Sequence, residues 1–579
     1  MAERAPEEVA PPVADVAPRR PRWALHALVY LLALGGLLAV TDLDSSWTFD
    51  DGAYATQVRV LEHHGDWAYP YRWSERDPRS EFAPVPHATL TPTAIYSYTK
   101  RPAWILVLQA STRLFGRVVG LYVPSVLGAV AAALVAWALA ERLRPGSGAL
   151  GFWAVALGPL LVHSSAMWAH TCGAALGGVL ALVVADRATG RARGWHLPAL
   201  AATAALLVSF RTEGAIVVLA AAAVLAALAL REPTWARRAR AALGTAAPLV
   251  VVAAATFLAT SRWSARLAPG KELPAWDLNP ADLTYVQSQW GGAWRTFLDG
   301  GGASRSGTVL AALVVLCWVA GAALLARREV PQRVAAAVLG AGVALLALRQ
   351  YAVARFDLGG ALLAAPLLPV ALVALLASGR VRRPGRAPSS APPATSTTSP
   401  ASVWLGALVA LHVLATIATQ YPEGGGGDWG GRFLFVVLVP ATVLAALFVV
   451  PLVADRTGLA ARHAAVATLV ALVALPTALG WASANDFRGA VGRTADAVEA
   501  PKGDTVIQLD RHLARGAWRL LPDVDLLSAE VSSAPRALAM LRPGLDHDVV
   551  VVGAGADRVR APGYERRVVA TDRVVFTPA

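Results

Sequence analysis

Several apolar runs of about 18 to 22 residues recur along this chain, each long enough as a helix to cross the hydrocarbon of a bilayer. Hydrocarbon satisfies no backbone N–H or C=O, so runs of this kind are confined to helices that close their own hydrogen bonds. Shorter apolar runs included, thirteen segments are read, at about 23–41, 118–140, 149–165, 170–185, 197–210, 213–230, 243–260, 307–326, 333–350, 358–377, 402–419, 432–453 and 464–482. Residues 102–116 are apolar as well, but Gln109, Ser111, Thr112 and Arg113 make that stretch amphipathic, and it is placed in the membrane interface. The expected fold is an α-helical polytopic membrane protein with about 13 transmembrane helices.

The basic residues supply the orientation. With Arg19, Arg20 and Arg22 in the cytoplasm as part of a basic N-terminus (1–22), the later arginine clusters fall on the same side. They lie at 142–144, 187–193, 231–240, 327–333, 380–386 and 456–462, as the positive-inside rule requires. The net charge of +13 is spread over these clusters, with no single basic face or tail, which argues against a nucleic-acid partner. Residues 23–41 are followed by no small-residue cleavage site and are read as a retained helix in the plasma (inner) membrane. The two cysteines, Cys172 and Cys317, both lie in apolar runs, so no disulfide framework is indicated.

Three long segments then face outward, 42–101 (the core of a first outer loop spanning 42–117), 261–306 and a tail, 483–579. In the first, Tyr54, Val58 and Leu61 recur at helical spacing, which predicts a juxtamembrane helix over 52–64 lying on the membrane with that face down. The tail alternates five strand-like runs (505–509, 524–527, 549–552, 567–570, 574–577) with helix-like stretches near 511–520 and 534–541, as a small extracytoplasmic α/β domain would. Gly553-Ala554-Gly555 lacks the third glycine of a dinucleotide fingerprint and is read as a turn. The Pro/Ser/Thr-rich stretch 379–400 is read as a disordered cytoplasmic linker. The membrane domain is thus 23–482.

The polar residues gather on the outer side. Asp50 and Asp51 follow the first helix, His163 and His170 flank a turn around Trp168, and Arg211 with Glu213 occupies a turn between two helices. Arg305, Arg349, Arg355 and the stretch Asp428 to Arg432 lie at other outer helix ends. Blander readings exist for each. One aspartate would suffice to cap a helix, Arg211 and Glu213 can pair with each other, Arg349 can snorkel to headgroups, and the tryptophans can form an interfacial belt. His63-His64 point apart on a helix and read as solvated, and no ligand spacing indicates a metal or other cofactor.

Phe49-Asp50-Asp51-Gly52-Ala53-Tyr54, Gly65-Asp66-Trp67 and Lys100-Arg101-Pro102-Ala103-Trp104, running to Leu114-Phe115-Gly116, together form a pattern. It resembles the first loop of C-type glycosyltransferases, within them the protein O-mannosyltransferase and lipid A aminoarabinose transferase group. Asp428-Trp429-Gly430-Gly431-Arg432-Phe433-Leu434, ahead of Pro440, is similar to a Gly-Arg segment of related bacterial members. Family members often carry Asp-Glu where this chain has Asp50-Asp51, which keeps the chemistry, and Pro-Pro where it has Arg101-Pro102. The resemblance implies transfer of a sugar from a polyprenyl-phosphate carrier to an acceptor hydroxyl on a glycan, lipid or protein, with inversion.

Such a reaction needs a carboxylate to take the hydroxyl proton and cations to hold the departing lipid phosphate. Asp50 is assigned as base and Asp51 as its partner. Lys100, Arg101, Arg211, Arg305, Arg355 and Arg432 are the pool of phosphate ligands, with Arg432 and Lys100 ranked first, and Tyr54, His170, Glu213, Asp428 and Trp429 are candidate substrate contacts. The alternative is an envelope polysaccharide polymerase or ligase using a pyrophosphate-linked lipid glycan. A transporter would show midplane charges or internal repeats, and neither is seen.

Overall fold

The computed structural model describes residues 23–79, 81–83, 89–90, 94–96, 101–191, 193–267, 291–299, 305–326, 330–353, 360–371, 399–419, 432–454, 459–496, 505–509, 518, 520 and 524–579. The basic N-terminus, Lys100, Arg355, Asp428, Trp429, the linker at 379–398 and most of 511–520 lie outside the described residues. The first helices are α1 (Trp23–Ala39), α2 (Phe49–His64), α3 (Pro102–Phe115), α4 (Val119–Leu143), α5 (Gly148–Ala156) and α6 (Pro159–His163). They are followed by α7 (His170–Ala188), α8 (His196–Phe210), α9 (Thr212–Ala229) and α10 (Trp235–Leu267). Helices Arg305–Ala326, Gln332–Leu348, Pro400–Thr419, Leu438–Ala454 and Leu459–Asp496 complete the bundle, with a short turn of helix at Ala361–Ala364. Among the described residues, nine helices are long and apolar enough to cross a membrane, and α1 and α8 are shorter apolar helices.

Local chemistry explains where these helices break. The segment expected as one helix over 149–165 is divided at Leu157-Gly158, because Pro159 lacks the N–H to continue a helix but is suited to begin one. The breaks expected around Trp168 and Arg211 are present: α6 ends at His163 and α7 begins at His170, while Arg211 alone, in an extended conformation, separates α8 from α9. The last helix does not stop near 482. It runs on to Asp496, so the domain boundary expected at 483 falls inside a helix.

Small residues let the bundle close. Ala132 and Ala136 of α4 pack against Ala174 and Ala181 of α7 in one buried cluster, with Leu139 and Leu180 filling between. At Gly177 the approach is closest: an added Cβ would lie 1.7 Å from the carbonyl oxygen of Val436, in the short 3-10 helix Arg432–Val437. Only glycine permits that contact.

Helix α2 is well delimited. Thr48 caps it, its hydroxyl accepting from the Asp51 amide at 3.1 Å, and Gly65 ends it with φ +66° in the left-handed region. Tyr54, Val58 and Leu61 do share a face, but that face packs on protein: Trp104, Ile105 and Leu108 of α3, Leu121 and Tyr122 of α4, and Trp168. The expectation that it lies on lipid is corrected, since α3 folds beneath it. Trp104, Trp168, Trp318 and Trp518 are fully buried and are core residues, not members of an interfacial belt. Arg349 is likewise fully buried. The helix ending at Leu348 continues as a π-helical turn that carries Arg349 inward, where its Nε donates to the Gly307 carbonyl at 3.2 Å, so it does not snorkel.

The tail folds as an α/β unit with a five-stranded sheet. Its strands are β4 (Thr505–Gln508), β5 (Asp525–Ser528), β6 (Val549–Val552), β7 (Tyr564–Ala570) and β8 (Arg573–Pro578), in the order β5-β4-β6-β8-β7. The three strands β5, β4 and β6 are parallel, and Val549–Val552 is buried throughout, as a strand covered on both faces should be. Helix Ala534–Leu541 lies where expected, and Gly553 and Gly555, both with positive φ, make the turn.

The first loop is part of this unit. It forms its own small sheet from β1 (Tyr69–Pro70), β2 (Thr89–Leu90) and β3 (Ala94–Tyr96), and it inserts Tyr71, Trp73 and Phe82 into the core of the tail beside Leu538, Leu541 and Phe576. Trp73 Nε1 donates to Asp525 at 2.8 Å, and the Ser528 amide extends the edge of β5 by donating to the Phe82 carbonyl at 2.9 Å. Loop and tail therefore share one face of the bundle, and an even number of membrane crossings must separate them. Two predictions follow from this contact. Cysteines placed at exposed Glu75 and Thr571, in a protein freed of Cys172 and Cys317, label together from one side of sealed vesicles with an impermeant maleimide. Trp73→Ala lowers stability by roughly 3–5 kcal/mol, measured as a loss of thermal stability in detergent.

Candidate active site

The two aspartates of α2 occupy different environments. Adjacent residues on a helix point about 100° apart, so the two do not share one environment. Asp51 is fully buried: its Oδ1 accepts from the Met167 amide at 2.9 Å, in the turn between α6 and α7. Asp50 keeps 34% of its side chain exposed and meets Arg432 at 3.5 Å. The cap of α2 is Thr48, so neither carboxylate is the capping residue.

Burial pushes the Asp51 carboxyl up to about 7, opposed by the positive charge of Arg488, the Met167 amide and Thr48, and reinforced by Asp50. Asp51 favours the fold fully below its ordinary value of 3.8, and that contribution is lost as the pH rises through 7.

The cations arrive on separate elements. Arg432 begins the 3-10 helix that packs against α7 at Gly177, with its guanidinium 5.6 Å from the centre of the Trp168 ring and 5.1 Å from that of Phe433. Arg211 bridges Glu213 through both oxygens, at 3.1 and 3.0 Å, so the pairing read from the sequence is present. Arg101, at the start of α3, reaches across to the Thr212 hydroxyl. Arg211, Arg432 and Arg101 all act electrostatically on Glu213, which places these four charges in one neighbourhood. Arg305 is the first residue of the helix Arg305–Ala326.

His170 is buried in an aromatic cluster, 4.3 Å from the ring centre of Trp168, 5.2 Å from Phe435 and 5.0 Å from His163. Neither of its ring nitrogens has a hydrogen-bond partner among the described residues. Tyr54, expected as a substrate contact, is 4% exposed and belongs to the packing beneath α2. Among the described residues no three His, Cys, Asp or Glu side chains come together as a metal site requires.

One residue of the site escaped the sequence reading. Arg488 falls within the tail expected from 483 onward, yet it sits fully buried on the last helix of the bundle and acts on Asp51. The spacing of Ala484, Arg488 and Val491 on one helical face, continuing past residue 482, is the signal that would have found it.

Asp51→Asn keeps an oxygen for the Met167 amide but cannot ionise. Relative to wild type, the variant gains stability at about 1.4 kcal/mol per pH unit inside the window from 3.8 to 7, read from paired unfolding curves across that range.

No protein-family model matches the chain, and no curated protein sequence matches it. Solved structures do. ArnT from Cupriavidus metallidurans bound to undecaprenyl phosphate aligns at a TM-score of 0.51 and 14% identity, covering 96% of this chain and 97% of that one. The same ArnT in its apo state gives 0.47 at 15% identity over 96% and 97%. The oligosaccharyltransferase AglB from Archaeoglobus fulgidus, in complex with an inhibitory peptide and a dolichol-phosphate, gives 0.41 at 13% identity over 96% of this chain and 75% of AglB. The first of these alignments takes in the loop, the bundle and the tail together: the chain has the fold of ArnT over nearly its whole length.

Proposed function

We propose that the protein is a membrane glycosyltransferase, moving a sugar from a polyprenyl-phosphate carrier to an acceptor hydroxyl at the extracytoplasmic face, with inversion at the anomeric carbon. The observation that carries the reading is the Asp50–Arg432 pair, a carboxylate and a guanidinium 3.5 Å apart, both partly exposed, beside the buried Asp51. One group can take a proton and the other can hold a phosphate, and transfer needs both within reach of one small substrate.

In this reading Asp50 accepts the proton of the acceptor hydroxyl as its oxygen attacks the anomeric carbon. The bond from that carbon to the phosphate oxygen breaks on the opposite face, and the carrier leaves as its phosphate. Arg432 offers several N–H groups in a planar fork, so it can keep a contact to Asp50 while meeting the phosphate, with Arg211 and Arg101 adding positive charge. Asp51 holds α2 in place from below, and the unpartnered ring nitrogens of His170 are available to a sugar or acceptor hydroxyl. Binding of undecaprenyl phosphate by ArnT supports the choice of carrier class.

The test offers the purified protein, in lipid nanodiscs, a panel of polyprenyl-phosphate sugars, with mass spectrometry of the released carrier. Asp50→Asn is expected to lower transfer by roughly 10²–10⁴-fold with carrier binding retained. Arg432→Ala is expected to weaken carrier binding itself. If the wild-type protein binds none of the panel and Asp50→Asn changes no envelope glycan, the reading fails.

A further inference from the structure

Two parts of the chain hold Asp51, the turn between α6 and α7 through the Met167 amide and the start of α2 through Thr48, and both converge on Arg488. The Arg488 side chain is fully buried, with Nη1 donating to Ser165 Oγ at 3.2 Å and Nη2 to the Ser165 carbonyl. Ser165 lies two residues before Met167, whose amide donates to Asp51. The same turn is fixed from two further sides, by Trp104 Nε1 on the Met167 carbonyl at 2.8 Å and by Ser125 Oγ on the Trp168 carbonyl at 3.0 Å. The Arg488 backbone completes the arrangement: its carbonyl accepts from Ser45 Oγ at 2.8 Å, three residues before the Thr48 that caps α2.

We propose that Arg488 is a positioning residue for the acidic pair, locking the turn 164–169 and the lead-in to α2 together so that Asp51 meets the Met167 amide and Asp50 faces Arg432. The inference rests on the reading of that pair as the centre of the site. Arginine suits the task because its fork addresses the hydroxyl and carbonyl of one serine at once, which the single ammonium of lysine does less well. The charged and titratable groups acting on Asp51 are Arg488, from the last helix, and Asp50. Tyr122 of α4 acts on both Arg488 and Asp51, and Asp42 of the segment before α2 acts on Arg488.

The test uses full-length protein in nanodiscs, labelled with ¹³C-aspartate, and follows the protonated-carboxyl infrared band that Asp51→Asn removes. In Arg488→Gln the midpoint of that band is expected to rise by about 1 pH unit or more. In Arg488→Lys, with charge but no fork, the midpoint stays within about half of that rise while the band broadens as the carboxyl samples more than one setting. A folded, monodisperse Arg488→Gln with wild-type midpoint and band width overturns the proposal. Should that variant not fold, Arg488→Lys with an unbroadened band overturns it equally. Undecaprenyl phosphate binding by the wild type is measured in the same discs: its absence sinks the transfer reading and leaves the Asp51 titration to be judged by itself.

Discussion

A carboxylate with no exposed surface has to be answered from within the protein, and this end of the molecule is arranged around that demand at Asp51. The answer comes from the cap of α2, the turn between α6 and α7, and the final helix, parts widely spaced in the chain. The bundle must close for all three to meet. Once they do, helical geometry settles the rest: with Asp51 inward, Asp50 one residue earlier turns toward Arg432. Adjacent aspartates thus divide into a structural member and an accessible one through direction alone.

The backbone contact at Gly177 does similar work for the cation. Because α7 and the 3-10 helix touch main chain to main chain, Arg432 projects from a fixed base beside Trp168 and Phe433. A long side chain on a loop would have to be ordered at the moment of binding, at a cost in rotamer entropy. Here part of that ordering is built into the fold.

Much of this was legible in the sequence. The acidic pair, Arg432, the breaks at Trp168 and Arg211, and the five strands of the tail were all marked by residue type and spacing. What was not legible has a common physical origin. Hydropathy reports which faces suit lipid, whereas helices buried in protein can carry polar groups without showing it. Arg488 was lost because the apolar run fades near 482 while the helix continues among polar partners such as Ser165 and Ser45. Arg349 looked like a surface residue at a helix end until a π-helical turn brought it inside. Tyr54, Val58 and Leu61 formed a correct apolar face, but periodicity does not say whether lipid or α3 covers it.

The clasp between first loop and tail also sets a schedule. Trp73 and the Asp525 that receives its hydrogen bond are 452 residues apart. At about 5–20 residues per second of synthesis, the partner of Trp73 emerges roughly 25–90 seconds after Trp73 itself. For that interval Tyr71, Trp73 and Phe82 have no core to enter, while the helices between them and the tail are already being laid into the membrane. The end that carries Asp50 and Asp51 is therefore among the first parts of the molecule to be made and among the last to be finished.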